Sequence, residues 1–309
     1  MKKYTTFVID DVIWVFRDLT RGNYASVFEH PFLGMLKEAH DKYGLKTQLN
    51  IFFRTDVYYG NDEFSLRDMT DRYKTEWEAA SDWLIFGFHS KQEFPDYPYV
   101  NADYDVVRAD FTDMQKEVFR FASEKNWSRA VLNHWRPMSK EGCRALYDCG
   151  ARLISATTGD RYPYDGDASK LPYGHAARLL HNRKPETMTF IRKSKDVAIT
   201  QSICGYNHIT EEEQERTLHT AGYILNEETG MIFKNFLTSV IHNLSSKDDI
   251  REEMENFIGD EYIGWGTHEQ YFYPEYYAYQ PEYKEKLMIA CEELYKNDYT
   301  FIFMQDLIK

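Results

Sequence analysis

Apolar and polar positions switch between two periods along the first half of the chain. Short runs rich in β-branched and aromatic residues at 5–9, 48–53, 84–88, 130–133 and 152–156 have the length and composition of strands. Between them the apolar positions recur every three or four residues. Phe28, Phe32, Met35, Leu36 and Ala39 form one face of a helix over 27–43 that Gly44 stops. Leu66, Met69, Tyr73, Trp77 and Ala80 repeat at the same spacing after Ser65, and Asp68 three residues on completes a capping-box pattern. Thr112 with Gln115 opens a further helix, and 139–149 is a helix closed by Gly150. Repeated βα units predict an α/β fold with a parallel sheet, closed as a barrel or open and doubly wound. The period does not separate these two. No Gly-rich phosphate loop follows the first strand, however, where Asp10 and Asp11 stand instead, so a nucleotide-binding fold loses ground and the barrel leads.

Between about 160 and 235 the rhythm loosens. A Pro- and Tyr-bearing stretch at 161–173 is followed by strand-like 188–192 and 197–203 and by a helix that starts at Thr210 with Glu213 as its box partner. This part reads as an elaboration on a single barrel domain spanning 1–309. Regular units return with a strand over 236–242, an acidic helix over 247–257 ended by Gly259, a strand over 262–267, a helix over 281–297 with Pro281 in its first turn, and a last strand over 299–304.

Composition narrows the partners. The 50 Asp and Glu against 37 Lys and Arg give a formal net charge of -13, and no basic patch interrupts it, so nucleic acid and anionic membrane surfaces are not expected partners. No stretch approaches the roughly 20 apolar residues of a membrane span, and the first four residues lead into a strand without an apolar leader, which reads as a cytoplasmic chain. Cys143, Cys149, Cys204 and Cys291 form no C-x-x-C pair, so reduced structural thiols are expected. With 24 Tyr and 20 Phe there is more ring surface than one core needs, and part of it is expected to line a groove.

Chemistry-bearing residues fall where the strands end. Asp10 and Asp11 follow the first, His89 the third, Asn133, His134 and Arg136 the fourth, His242 a later one, and Thr267, His268 and Glu269 another. In a parallel barrel these ends open on one face, where enzymes of that architecture place their sites. In this order the residues resemble the polysaccharide deacetylase family, the carbohydrate esterases that share the NodB homology domain. The family's first motif, Thr-Phe-Asp-Asp-Gly, is matched by Phe7-Val8-Ile9-Asp10-Asp11-Val12 with the glycine lost. Its second, His-Ser/Thr-x-x-His, is matched by His89-Ser90-Lys91-Gln92-Glu93, with Glu93 where the last histidine belongs. Its third, Arg-Pro before an aromatic, is matched by Trp135-Arg136-Pro137-Met138, and its last, Leu-His-Asp, by Thr267-His268-Glu269. The fourth has no firm counterpart, although 155–160 lies at the right distance, and the resemblance does not extend over 161–235.

The resemblance implies an irregularly closed (β/α) barrel of seven strands. It also implies a metal-dependent hydrolase that removes an N- or O-linked acetyl group from a carbohydrate. Amide hydrolysis needs an activated water, a charge sink for the oxyanion and an acid for the departing amine. By the resemblance Asp10 is the general base, Asp11, His89 and Glu93 hold a divalent metal (Zn, Mn, Co or Mg), Arg136 orients Asp10, and His268 is the general acid with His242 as its rival. The Met138 N–H would be an oxyanion donor, and Tyr271 and Tyr273 would stack on sugar. Glu93 in place of a histidine shifts the preference toward harder ions such as Mn²⁺ or Mg²⁺. Two other readings stay open. One is an inactive sugar-binding member in which Glu93 is a plain exposed glutamate, and the other is a glycosidase whose two carboxylates are Asp10 and Glu269. The rings after His268 either meet sugar or pack on one another, and His134 reads better as a histidine packed behind the site than as part of it.

Overall fold

In chain order the elements are β1 (Lys3–Val12), α1 (Trp14–Arg21), α2 (Pro31–Tyr43), β2 (Thr47–Phe52), α3 (Lys74–Ala79), β3 (Leu84–Ser90), α4 (Tyr104–Phe121), β4 (Ala130–Val131), α5 (Lys140–Asp148), β5 (Leu153–Ser155), β6 (Asp160–Tyr162), β7 (Gln201–Ile203), α6 (Glu211–Leu218), β8 (Ile224–Leu225), β9 (Ile232–Lys234), β10 (Ser239–Val240), α7 (Lys247–Phe257), β11 (Tyr262–His268), α8 (Tyr283–Lys296) and β12 (Tyr299–Phe301). The structure is a computed structural model, and it describes residues 2–55, 63–94, 97–157, 160–162, 201–203, 205–235, 239–240, 245–276 and 278–308.

β1 is the hub. Thr5 to Ile9 are buried on both faces, as a central strand of a parallel sheet between covering helices must be. β11 runs parallel along one edge of β1, from Tyr4 opposite Tyr262 to Asp10 opposite His268. On the other edge β12 takes the first residues and β2 the rest, and β3 continues the sheet beyond β2 while β10 continues it beyond β11. A second sheet runs β4-β5-β9-β8, parallel except for the last pair, and β6 pairs β7 antiparallel.

The result is an α/β fold with parallel sheets, as the βα rhythm predicts. The closed barrel is a different matter: among the described residues no sheet closes on itself. Strand three and strand four do lie side by side and parallel. They meet through one bridge, Phe86 with Trp127, and through single bonds from Ser128 N to Phe86 O (2.8 Å) and His134 N to His89 O (2.9 Å), not through a ladder. One reason is local. The Leu132 carbonyl, which a ladder would use, faces the ring Nδ1 of His89.

Several helices differ from the periodicity. The run over 27–43 breaks into a 3₁₀ turn at Val27–Glu29 and α2, because Pro31 takes the first helical position and His30 Nδ1 accepts the Phe32 N–H (3.3 Å). α1 is not visible in the pattern, since Val12 to Phe16 are all apolar and read as more strand; Trp14, Val15, Phe16 and Leu19 are all buried. The Ser65–Asp68 box caps a 3₁₀ turn instead of a long helix, and α4 begins at Tyr104, well before Thr112. The Thr210–Glu213 box opens α6 as expected. β9, inside the loosely patterned region, joins the second sheet. Of the strands expected there, 188–192 lies outside the described residues, 197–203 is represented by β7 and 236–242 by β10. Phe16 ties the layers together, with its ring 5.5 Å from Phe86 on β3 and 5.4 Å from Phe121 on α4. Full burial of such a side chain is worth about 1.5–3 kcal/mol.

Candidate active site

Two β-bulges aim the acidic and histidine side chains into one place. Along the β1/β2 ladder Ile9 pairs with Leu49 and Val12 with Ile51, so β1 carries one extra residue at Asp10-Asp11. Along β2/β3 Ile51 pairs with Phe88 and Phe52 with Ser90, which leaves His89 as the extra residue. A regular strand would send Asp10 and Asp11 to opposite faces. The bulge, with Asp11 at φ 60°, breaks that alternation, as bulges beside active sites do.

Asp11 is the centre of the cluster and is fully buried. Its Oδ1 lies 2.9 Å from His89 Nε2 and 3.3 Å from His134 Nδ1, and its Oδ2 lies 3.8 Å from His268 Nε2. His89 Nε2 and His134 Nδ1 are 3.2 Å apart. Asp11, His89 and His134 thus each offer an atom within 4.8 Å of the others, a one-carboxylate, two-imidazole set of the kind that holds a divalent ion. Burial alone would lower the His89 imidazole, but Asp10 and Asp11 together outweigh it and leave it raised. At His134 burial prevails over Asp11, with the charge of His89 adding to the lowering.

Asp10 is held from below. Its Oδ1 accepts from Asn50 Nδ2 (2.6 Å), Asn50 Oδ1 accepts from Gln48 Nε2 (2.7 Å), and Gln48 Oε1 accepts from the Ser128 hydroxyl (2.7 Å). Gln48, Asn50 and Ser128 are buried, and Gly87 on β3 leaves them room: a Cβ there would lie 2.3 Å from Gln48 Nε2 and 2.6 Å from Asn50 Oδ1. His268 stands across from Asp10 in the β1/β11 register. Parallel partners share a face of the sheet, so both reach the same mouth.

Glu269 does something else. Its Oε2 accepts the N–H of Ile13 (2.7 Å) and Trp14 (2.8 Å) and its Oε1 the N–H of Val15 (2.7 Å). It caps α1, whose own N-cap Ile13 has no side-chain acceptor. Oxygens occupied in this way speak against Glu269 as the acid of a two-carboxylate glycosidase with Asp10.

The third motif forms a strained turn. Trp135 (φ 62°) and Arg136 (φ 65°) are consecutive left-handed residues, a conformation costing about 1–3 kcal/mol each. Asn207 holds it, with Nδ2 donating to Arg136 O (2.9 Å) and Ser155 O (2.6 Å) and Oδ1 accepting the Met138 N–H (3.0 Å). The Met138 N–H is therefore committed to Asn207 in this arrangement. Asn207 comes from the loosely patterned region and had no local sequence signal. Gly205 beside it lets the loop approach, since a Cβ there would lie 2.3 Å from Met138 N. Glu93 is buried, with Oε2 accepting from Gln270 Nε2 (3.3 Å). Tyr271 and Tyr273 are buried too: Tyr271 packs on His268 (5.1 Å between centroids) and on Tyr276, and Tyr273 sits edge-on to Trp14 (5.0 Å). The loop packs on its own rings. His242 lies outside the described residues.

No family model matches the chain, and no curated protein does. Among solved structures it is similar to the 4-alpha-glucanotransferase from Thermococcus litoralis, at 10% identity and a TM-score of 0.53 over the whole of this chain. The chain spans 40% of the length of that protein. It is also similar to a family 4 acetyl xylan esterase from Clostridium thermocellum in complex with a cobalt ion (10% identity, 99% of this chain and 90% of that one, TM-score 0.42). A third is the carbohydrate deacetylase Agd3 (12% identity, 99% and 53%, TM-score 0.44). At such identity the likeness to the glucanotransferase, the one of these three above a TM-score of 0.5, speaks to the fold alone.

Proposed function

We propose that this chain is a metal-dependent hydrolase that removes an acetyl group, N- or O-linked, from a carbohydrate, on a barrel-like arrangement of its parallel strands. The observation that supports this best is the meeting of Asp10, Asp11, His89 and His268 at the ends of adjacent parallel strands, in the order of the deacetylase motifs. Asp11 and His89 would hold a divalent ion together with a third donor, His134 or Glu93. A bound ion of this kind supplies an acidified water and a charge sink for the oxyanion.

The chain's own groups do the rest. Asp10, fixed by the Asn50 amide on one oxygen, takes the proton of the attacking water with the other. His268, opposite Asp10 and 3.8 Å from Asp11, returns a proton to the departing amine or alcohol. Arg136 stands in the turn that follows strand four, where the resemblance assigns it the orienting of Asp10.

The test is acetate release from acetylated chitooligosaccharide and acetylated xylan by purified protein loaded with Zn²⁺, Co²⁺ or Mn²⁺. Acetate formed with metal and lost with chelator is the expected result. Reducing sugar without acetate would point to a glycosidase. Binding of the oligosaccharide with neither product would point to an inactive sugar-binding member.

A further inference from the structure

The proposed function leaves the third ligand between Glu93, which the motif spacing favours, and His134. We propose that His134 is that ligand and that Glu93 is a positioning residue acting through it, an assignment that rests on the metal-dependent reading of the site.

The hydrogen bonds fix both imidazoles. His134 Nε2 lies 2.9 Å from the backbone carbonyl of Glu93, and a carbonyl only accepts, so Nε2 carries the hydrogen and in the neutral ring Nδ1 keeps its lone pair. That Nδ1 faces inward, 3.3 Å from Asp11 Oδ1. His89 repeats the arrangement with its nitrogens exchanged: Nδ1 faces the Leu132 carbonyl, so in the neutral ring, the form that binds a metal, the lone pair is on Nε2, 2.9 Å from the same oxygen. Two imidazole lone pairs and a carboxylate oxygen therefore converge with 2.9–3.3 Å between them. Three acceptors at such separations repel one another in a buried place unless a proton or a metal cation lies among them, and a metal ion takes the place of that proton when it binds. Bonds of about 2.0–2.2 Å from one small divalent ion would reach all three.

Glu93 is placed differently. Its Oε1 lies 3.9 Å from His134 Nε2, the nitrogen turned away from Asp11, and its Oε2 takes the Gln270 amide. A carbonyl or carboxylate behind a ligating histidine is the usual support of such a ligand, setting its tautomer and raising its basicity. The ring itself is walled in by Phe52, edge-on at 5.1 Å. Strand four thus supplies the nitrogen that the second motif lacks. The donor set becomes Asp-His-His, and the preference moves back from hard ions toward Zn²⁺ and Co²⁺.

Cobalt(II) alone, titrated into the purified full-length chain and followed by visible absorption and calorimetry, tests this without a substrate. Wild type should bind one Co²⁺ with ligand-field bands. Glu93→Gln keeps the backbone carbonyl and should keep the stoichiometry and band positions, with affinity weakened by about 10- to 100-fold. His134→Phe keeps a ring beside Phe52 and should lose the bands and weaken affinity beyond that range. The reverse pattern, bands lost in Glu93→Gln and kept in His134→Phe, overturns the assignment and leaves the metal-dependent reading standing. Wild type that binds no Co²⁺ overturns both. If His134→Phe fails to fold by circular dichroism, the Glu93→Gln spectrum decides: unchanged bands support His134, and lost or shifted bands refute it.

Discussion

Replacing Glu269 tests whether this residue belongs to the scaffold or to the chemistry. Its two oxygens take the Ile13, Trp14 and Val15 amides, and it is fully buried. In Glu269→Ala each of these donors loses its partner, at about 1–3 kcal/mol apiece before water or relaxation recovers part of it. A net loss of about 3–5 kcal/mol is expected, because three buried N–H groups lose their acceptor together. With about 2.1 cal/mol/K of unfolding entropy per residue over 309 residues, roughly 0.65 kcal/mol/K, that lowers Tm by about 5–8 °C. Glu269→Gln keeps one acceptor oxygen but turns an NH₂ toward a backbone N–H, and about half that drop is expected. The pH trend adds a second readout. Burial pushes the Glu269 carboxyl up to about 8, against the three amides that pull it down. A folded value above the ordinary 4.5 means a contribution that is full below about 4.5 and lost as pH rises through about 8. The penalty of Glu269→Gln should therefore be larger at pH 5 than at pH 8.5. A thermal shift below about 2 °C for the alanine variant would refute the cap. A glutamine variant with wild-type Tm and no hydrolysis would make Glu269 a participant in the reaction.

Asp11→Asn should abolish tight metal binding, whereas Asp10→Asn should leave the metal bound and lower the rate by about 10²–10⁴; calorimetry beside acetate release separates them. His268→Ala should slow amide substrates far more than activated esters, whose leaving groups need no proton, and equal slowing of both would remove its role as acid. Gly87→Ala puts a methyl 2.3 Å from Gln48 Nε2 within a buried chain that ends on Asp10, so a loss of about 1–3 kcal/mol in urea unfolding is expected together with a lower rate. Lys234 donates to the Thr217 and Thr220 carbonyls beneath the Tyr262 ring, and burial pushes its ammonium down to about 7. A folded value below the ordinary 10.5 gives a contribution present above about 10.5 and lost as pH falls through about 7, so Lys234→Met should gain on wild type in thermal scans as pH is lowered across that window.

The ends of strands one, three and eleven were legible because an apolar run that stops at Asp10-Asp11, at His89 or at His268 marks its own boundary. What the run could not carry is direction. Whether Asp10 and Asp11 share a face depends on the bulge opposite Leu49 and Ile51, a contact some forty residues away in sequence. His134 reads as packing because nothing in its local sequence says where its ring nitrogens point; the inward nitrogen is set by the carbonyl of Glu93, from another loop. Ring content foretold a groove, yet Tyr271 and Tyr273 are buried on His268, Tyr276 and Trp14, since composition counts rings without locating them.

The departures from the deacetylase motifs make sense together. In the first motif a glycine after the two aspartates would supply freedom at the turn; here the left-handed position is Asp11 itself, one residue earlier, a conformation that aspartate tolerates better than most residues. Val12 is then free to pack, and it is fully buried. With no loop after β1 the chain enters α1 at once, on apolar residues that include no capping side chain. The missing cap has to come from elsewhere, and Glu269 brings it from the end of β11. Glu269 thus stands where the family has an aspartate in its last motif but serves the first motif's backbone. Relative to the motifs it resembles, the chain differs at three connected places: no glycine follows Asp11, α1 has no cap of its own, and Glu269 is bound to the N–H groups of that helix. Val12→Gly alone should therefore lower the Tm in thermal scans, because it removes a fully buried side chain and adds backbone freedom at a helix start that Glu269 caps.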